Sequence, residues 1–585
     1  MGGCTCGGAR VVRRCACSPV RHLATWPTSG THHTGRRALR GLMILFVVLA
    51  IAATPAPAPV SRPAPEPSAP GLDGPALVPM LNAWKRRPQI QWSSVTDTAS
   101  YDAEQTRVLD SLATVRADVE GLSGLTPHDA LVAHRLLLEI RTAALQAECG
   151  AERWHLEPFD PLAGLFRADG TVDRLAISPA IERFAKAQQD YGVRTQLMRD
   201  AVSRGVVDHR GAVEAYIRQS RALQIPPLAD LDVTNRDRLS AALGAYIEVR
   251  SRFANFLEVE VLPSATTKPH IPEACYQASI LAHTDLDVSA DALHTRGLEE
   301  LATIESEIAA LGSAIFGTDD LVRIREELRA PRHHFASVDT LLAEASRHAE
   351  EGWEGSRAWI PGEVPRCRVR IRRDAGRAGA WTPSGQYDGG TITLWGKPGV
   401  LRTWDLRTIV FHECAPGHHI ERILSGTTAG WPSFMHRNAS TAIVEGWAHY
   451  SEWRAAERGL FPDPFDRIGM LEHRAWRAAR LVVDTGLHHQ GWSRERAEDF
   501  LYAHTALDRA YVVEEVERYL RMPGQALAYK VGELEIQRLA ARAVTELGDD
   551  FDLVGFHRAV LGNAGIPLGA LEGRVDAWIR EVRGN

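Results

Sequence analysis

From about residue 78 to residue 350, apolar and polar positions alternate with helical spacing almost throughout. In DALVAHRLLLEIRTAALQAE (129–148) apolar residues recur at three- and four-residue steps. Thr126-Pro127 and Asp129 supply its start, since a threonine oxygen accepts from free N–H groups and proline suits the first turn. Similar stretches cover 178–204, 209–223, 234–260, 288–314 and 338–350, with no fixed repeat period. The pattern changes over 365–396, where RCRVRIRR and GGTITLW alternate or are β-branched between Gly/Pro-rich segments. A short sheet is expected there, its edge facing a cleft lined by Trp381, Tyr387 and Thr391. Helical spacing then resumes. RAARLVVDTGLHHQGWS carries an apolar stripe at Leu481, Val482 and Leu487, ends at Gly491, and offers Ser493 as the next cap. Pro523-Gly524 breaks the pattern again, so that Gln525–Leu539 begins a new helix. The expected architecture is mainly α: a large helical protein with a deep cleft and a small β-sheet. An N-terminal helical region spans 76–360, and a second region, holding the small sheet and the motifs with candidate chemistry, spans 361–585.

The N-terminus reads differently. Residues 36–42 are basic, and MILFVVLAIAA (43–53) has the length of a secretory hydrophobic core rather than the ~20 residues of a membrane span. Small residues and a Pro/Ala-rich stretch follow, so 1–75 is expected to be a leader and linker, the protein exported, and no membrane span retained after cleavage. Met43 is an alternative start, in which case Cys4, Cys6, Cys15 and Cys17 lie outside the protein. Of the remaining cysteines, Cys149, Cys275, Cys367 and Cys414, an oxidising compartment permits pairing, with Cys149–Cys275 the first candidate.

The chain has 585 residues, is 45% hydrophobic and carries a net charge of −6, enough for a large core and with no polycationic character. Its arginines are balanced by 73 acids spread along the sequence, which argues against a nucleic-acid partner.

Chemistry concentrates in FHECAPGHHIERIL (411–424) and AIVEGWAHY (442–450). A catalytic Zn²⁺ needs three N/O ligands, an open position and a carboxylate to take a proton from water. His412, His418 or His419, and Glu445 supply the ligands, with Glu413 as the base. The spacing is unusual: position i+4 from His412 is Pro416, and on an unbroken helix His419 would lie about 10 Å further along the axis. Pro416-Gly417 offers the remedy, because proline cannot continue the hydrogen-bond ladder and glycine tolerates unusual angles. A looped turn would return a later histidine to the first; His418 is favoured and His419 is the alternative. Glu445 sits in an apolar context, where an unpaired carboxylate would cost several kcal/mol and so seeks a cation. Gly446 beside it would admit a second backbone closely. Cys414 is expected to pack rather than react.

Further candidates lie downstream. Asp484 and His488, at i and i+4, share a helix face, so that an aspartate-oriented His488 could stabilise an oxyanion. His489 is expected at the surface or behind the site. Tyr529 offers a phenolic donor, and Arg518 with Tyr519 offers substrate contacts. Lys530 is expected to be solvated.

HECAPGHH, VEGWAHYSEW, VDTGLHHQGW and RYLRMPGQALAYKVGE resemble the successive signature blocks of bacterial domain-of-unknown-function family 885, densely over 411–535 and more weakly upstream to about residue 80. The resemblance implies a mostly helical fold related to gluzincin-type zinc peptidases. It implies His412, His418 and Glu445 as zinc ligands and Glu413 as general base. The expected activity is zinc-dependent hydrolysis of short peptides through Glu-assisted attack of zinc-activated water, with His488 and Tyr529 assisting. The alternatives are a zinc hydrolase of non-peptide amides or esters, and a non-catalytic binding protein of the envelope.

Overall fold

The computed structural model describes residues 95–584 except 96, 151–155, 157–164, 166–171, 173–175, 224–227, 229–230, 266–270, 373–384, 389, 396–401, 427–434, 436–439 and 563–564. The expected leader (1–75) and Trp381 lie outside the described residues, as does the side chain of Tyr387.

Nine helices among the described residues precede the sheet: α1 (Thr98–Glu120), α2 (Pro127–Cys149), α3 (Ile177–Ser203), α4 (Arg210–Ala222), α5 (Val233–Phe256), α6 (Glu273–Thr284), α7 (Ala290–Phe316), α8 (Leu321–Leu328) and α9 (Val338–Ser356). The anticipated cap at Thr126 forms, accepting from Asp129 N, and Ser289 likewise caps α7 by accepting from Ala292 N. Helices α6 and α8 escape the periodicity, being short. A separate apolar core formed by α3, α4 and α5 is centred on Phe184, Tyr246 and Phe253.

The sheet consists of β1 (Arg368–Arg372), β2 (Gly385–Asp388) and β3 (Thr391–Trp395), in the order β1-β3-β2. β1 runs parallel to β3 with Arg370 opposite Thr393, and β2 runs antiparallel with Tyr387 opposite Ile392. Ile392 and Leu394 are buried against Leu341 and Ala345 of α9 and against the helix that follows, whereas Thr391 is only half-buried.

That helix is α10 (Thr403–Glu413), followed by α11 (His418–Gly426), α12 (Thr441–Glu457), α13 (Pro464–His488), α14 (Arg494–Ala503), α15 (Arg509–Arg521), α16 (Ala528–Leu547), α17 (Leu553–Leu561) and α18 (Leu568–Val582). Ser493 caps α14 through Arg496 N, and Gly491 takes a φ of 67° just before it. After Gly524 (φ 80°), a 3-10 turn over Gln525–Leu527 precedes α16, so the new helix starts three residues later than the sequence pattern indicates.

Helix α13 is the axis of the C-terminal half. Every residue from Ile468 to His488 is buried, including Glu472, His473, Arg474, Arg477, Arg480, Asp484 and His488. A helix sunk on all sides must find a partner for each charge it carries. It lies against α7 at Gly297, where an added Cβ would come within 2.7 Å of Val482 Cγ2. Helices α12 and α16 cross as closely: a Cβ on Gly446 would stand 2.4 Å from the Gly532 Cα. Gly446 thus admits a second backbone, as the sequence suggests.

Cys149 and Cys275 form the anticipated disulfide between α2 and α6. Cys414 corrects its expectation of simple packing: it is bonded to Cys367, joining the start of β1 to the end of α10. Lys530 is likewise fully buried rather than solvated, its Nζ 2.8 Å from Glu533 Oε2 and 3.5 Å from Glu300 Oε2. No helix of the described residues is long and apolar enough to cross a membrane.

Gly446→Ala should destabilise the protein by about 1–3 kcal/mol through overpacking. Gly244→Ala, on a helix with nothing within 4 Å of the added Cβ, should stabilise it by about 0.4–1 kcal/mol. Denaturant unfolding of both variants checks the contrast.

Candidate metal centre

The turn after α10 is where local chemistry builds the site. Helix α10 stops at Glu413, Cys414 adopts φ −96° and ψ −120°, the Ala415–Pro416 peptide is cis, and α11 begins at His418. Gly417 N donates to Phe411 O at 2.9 Å and His419 N to Cys414 O at 3.1 Å, so the chain doubles back on the last turn of α10. A Cβ on Gly417 would fall 1.9 Å from the His412 carbonyl oxygen, so only glycine fits. Trp447 Nε1 of α12 donates to Pro416 O at 3.0 Å and pins the turn from the other side.

The result brings His418 to His412, their rings 4.6 Å apart and nearly perpendicular. Glu445 Oε2 lies 3.4 Å from His412 Nε2 and 3.5 Å from His418 Nε2. Ligands about 2.05 Å from a tetrahedral ion stand about 3.3–3.5 Å apart, so these separations suit one zinc. Glu445 Oε2 is inaccessible and accepts no hydrogen bond, although the side chain as a whole keeps 18% of its surface exposed. A carboxylate oxygen left in that state calls for a cation. In its place the geometry holds a proton: burial alone would push His412 down, but the carboxylates of Glu445 and Glu452 beside it raise it to about 9. The donor set, its spacing and the orphaned oxygen all fit zinc.

His419 is not part of this set. Its Nε2 lies 2.6 Å from the Pro365 carbonyl, which turns the ring toward the segment leading into β1. Together with Cys367–Cys414, that bond fastens the strand's approach to the Pro416-Gly417 turn.

A second triplet, His412, His449 and Glu452, also falls within ligand distance, and all three are buried. Here neighbouring side chains occupy most of the polar atoms, although Glu452 Oε2 and His449 Nδ1 make no hydrogen bond. Glu452 Oε1 is 2.6 Å from His412 Nδ1 and 3.3 Å from His449 Nδ1. Arg477 Nε donates to His449 Nε2 at 3.0 Å, and its Nη1 lies 3.1 Å from His473 Nδ1. Because guanidinium only donates, His449 must accept at Nε2 and carry its proton at Nδ1, facing Glu452. Burial, with Arg477 alongside, pushes His449 down to about 3 and keeps it neutral. Glu452 in turn accepts from His412 Nδ1, so Nε2, facing Glu445 and His418, is the nitrogen that would give up its proton to a cation. An Arg477–His449–Glu452 relay thus orients one ligand from behind. On Arg477's far side, His473 Nε2 donates to Asp405 Oδ1 at 2.8 Å.

The remaining expected residues divide. Glu413, half-buried, closes α10 beside His412, and its charge is among those that raise that histidine. Tyr529 reaches the site: its ring is 5.8 Å from that of His449, and burial together with the charge of Glu445 raises its hydroxyl. His488 does not. It lies 11 residues beyond Arg477 on α13, roughly 16 Å along the axis, with Nε2 3.0 Å from the Tyr519 carbonyl. The Asp484–His488 pair does not form either, because Asp484 Oδ1 accepts from Tyr276 (2.7 Å) and Gly524 N (3.0 Å). Tyr519 is a core residue rather than a substrate contact, donating to Glu515 Oε2 at 2.8 Å and accepting from Trp476 Nε1 and Arg480 Nε. Arg518 pairs with Glu515 and keeps 19% of its side chain exposed. His489 bonds Glu273 and Asp291.

Sequence reasoning passed over Glu452, His449, Arg477 and Arg480. A signal was present: Glu445, His449 and Glu452 fall at i, i+4 and i+7, one face of a helix.

Residues 85–575 match the family described as bacterial protein of unknown function, domain-of-unknown-function family 885, and the chain belongs to that family. No curated protein matches it. Two solved structures share the fold. One, described as a "putative lipoprotein" from Colwellia psychrerythraea, has a TM-score of 0.68 and 23% identity, covering 86% of this chain and 98% of its own. The other, a "putative lipoprotein of unknown function" from Shewanella oneidensis, has a TM-score of 0.65 and 17% identity, covering 87% and 99%.

Purified protein should hold one zinc per chain. His412→Ala, His418→Ala and Glu445→Ala should each lose it, whereas His419→Ala should keep it, as read by elemental analysis. Arg477→Met should weaken zinc binding by about 10–100-fold without touching a ligand, measured by competition with a chromogenic chelator.

Proposed function

We propose that the protein is an exported zinc-dependent peptidase acting on short peptides. The observation that carries the reading is Glu445 Oε2, which is buried, accepts no hydrogen bond and stands 3.4–3.5 Å from two imidazole nitrogens, with the half-buried carboxylate of Glu413 on the same turn.

Zinc bound there supplies a Lewis acid that acidifies water and polarises a carbonyl. The protein does the rest. Glu413 takes a proton from the attacking water, whose oxygen forms a bond to the peptide carbonyl carbon. As the C–N bond breaks, Glu413 returns that proton to the leaving nitrogen. Tyr529, whose hydroxyl stays protonated because burial and the Glu445 charge raise it, donates a hydrogen bond to the oxygen that gains charge. Glu452, His449 and Arg477 keep His412 in the tautomer that presents Nε2. A binding protein without chemistry would not require a carboxylate next to His412.

Export is supported by the apolar run 43–53, by two disulfides and by the lipoprotein descriptions of the two solved relatives.

Glu413→Gln should keep zinc while peptide cleavage falls by ~10²–10⁴-fold. Tyr529→Phe should cut kcat by ~10²-fold with little change in KM. Peptide-library digestion followed by mass spectrometry reads both, and unchanged cleavage by Glu413→Gln would remove it as the base.

A further inference from the structure

We propose that Arg518, backed by Arg480, receives the terminal carboxylate of the substrate, so that the site cleaves peptides near a free C-terminus. The inference rests on the peptidase reading and narrows it to one kind of substrate end.

The argument begins with charge. Arg480 Nη2 lies 3.0 Å from Glu515 Oε2, and Arg518 reaches the same carboxylate with Nη2 to Oε2 (2.9 Å) and Nε to Oε1 (3.0 Å). Tyr519 donates to it as well. Four donors saturate Glu515, and no other carboxylate among the described residues pairs with either guanidinium. Arginine does not give up its proton, so two full positive charges share one negative charge. Arg480 Nη1 is buried without any acceptor. The third Arg518 nitrogen turns to the neutral Gln525 Oε1. Asp484 is the other acid in the field of Arg518; its Oδ1 is occupied by Tyr276 and Gly524, and burial pushes it up to about 7, so it carries only part of a charge at neutral pH.

A structural explanation would be that aromatic faces satisfy the cations. Trp476 does lie 4.3 Å from the Arg480 guanidinium. A π face softens the cost of a buried cation but supplies no net negative charge and no acceptor for Nη1.

Position completes the case. The Arg480 guanidinium is 4.4 Å from the Tyr529 ring. Tyr529 feels Glu445 from one direction, Arg480 and Arg518 from others, and hydrogen-bonds the Gln525 side chain. The unbalanced charge therefore borders the tyrosine that borders the metal ligands. Arg480 is sealed at 3% exposure, whereas Arg518 is partly open to solvent. Arg518 is the one to touch the carboxylate; Arg480 supplies the charge that Glu515 leaves over. Each residue spans at most ~3.6 Å, so a carboxylate held here lies only a few residues beyond the scissile bond.

The test uses the full-length zinc-loaded protein and N-acetylated peptides in two matched forms, free acid and C-terminal amide, each with and without an internal glutamate. Mass spectrometry reads cleavage rates. A preference of about 10-fold or more for the free acids is expected, with cuts near the carboxyl end. Arg518→Gln should erase most of that preference by raising KM for the acids alone, and Arg518→Lys should keep part of it. Equal cleavage of acids and amides by the wild type would overturn the carboxylate site and leave the peptidase reading standing. Cleavage of amides confined to those carrying glutamate would overturn the terminal assignment in favour of an acidic side chain. Failure to cleave any peptide would overturn both. The wild-type acid-to-amide ratio needs no variant, so misfolding of Arg518→Gln cannot shelter the proposal.

Discussion

The cluster of His412, His418 and Glu445 depends on one close approach: Gly417 lying against the carbonyl of His412, with room for no side-chain atom between them. It lets the chain leave α10, reverse, and start α11 with His418 beside the residue six positions earlier. Without it the two imidazoles would point to different faces of one helix. The surrounding structure secures that reversal from three directions. Trp447 holds the Pro416 carbonyl, the Cys367–Cys414 bond ties down the end of α10, and His419 grips Pro365. The segment leading into the small sheet is consequently fastened to both ends of the turn, at Cys414 and His419.

Behind the ligands lies a second constraint, the burial of charge. Helix α13 is surrounded by protein along 21 residues and yet carries two glutamate-pairing arginines and one that pairs with no carboxylate directly. Arg474 is answered by Glu533, which also receives Lys530. Arg477 is answered by two histidines whose tautomers it dictates. Arg480 is answered by half of Glu515. Along the helix the compensation therefore differs from one arginine to the next: a carboxylate shared with a lysine, two histidine rings, and a carboxylate shared with Arg518. The first of these groups is structural, the second orients a ligand, and the third leaves charge unspent.

The long helices were legible in the sequence because α2, α3, α5 and α7 run for 23 to 27 residues, long enough for periodicity to emerge above noise. Helices α6 and α8 were too short for that. The three ligands were legible because zinc chemistry demands particular side chains, and because Pro416-Gly417 announced a break where a straight helix would fail. His488 misled for a physical reason. The i, i+4 rule places Asp484 and His488 on one face, but it does not say that they bond, and Tyr276 with Gly524 claimed the aspartate first. Tyr519 and Lys530 misled because a polar side chain in a sequence carries no mark of burial. The disulfide at Cys414 and the role of Arg477 depend on segments brought together across 47 and 28 residues, and local patterns do not encode such meetings.

The most direct test of the account is anomalous diffraction at the zinc edge from crystals grown with zinc. One strong peak is expected about 2.0–2.2 Å from His412 Nε2, His418 Nε2 and Glu445 Oε2, with Glu452 remaining on His412 Nδ1. A peak between His449 and Glu452 instead, or none near His412, would contradict it.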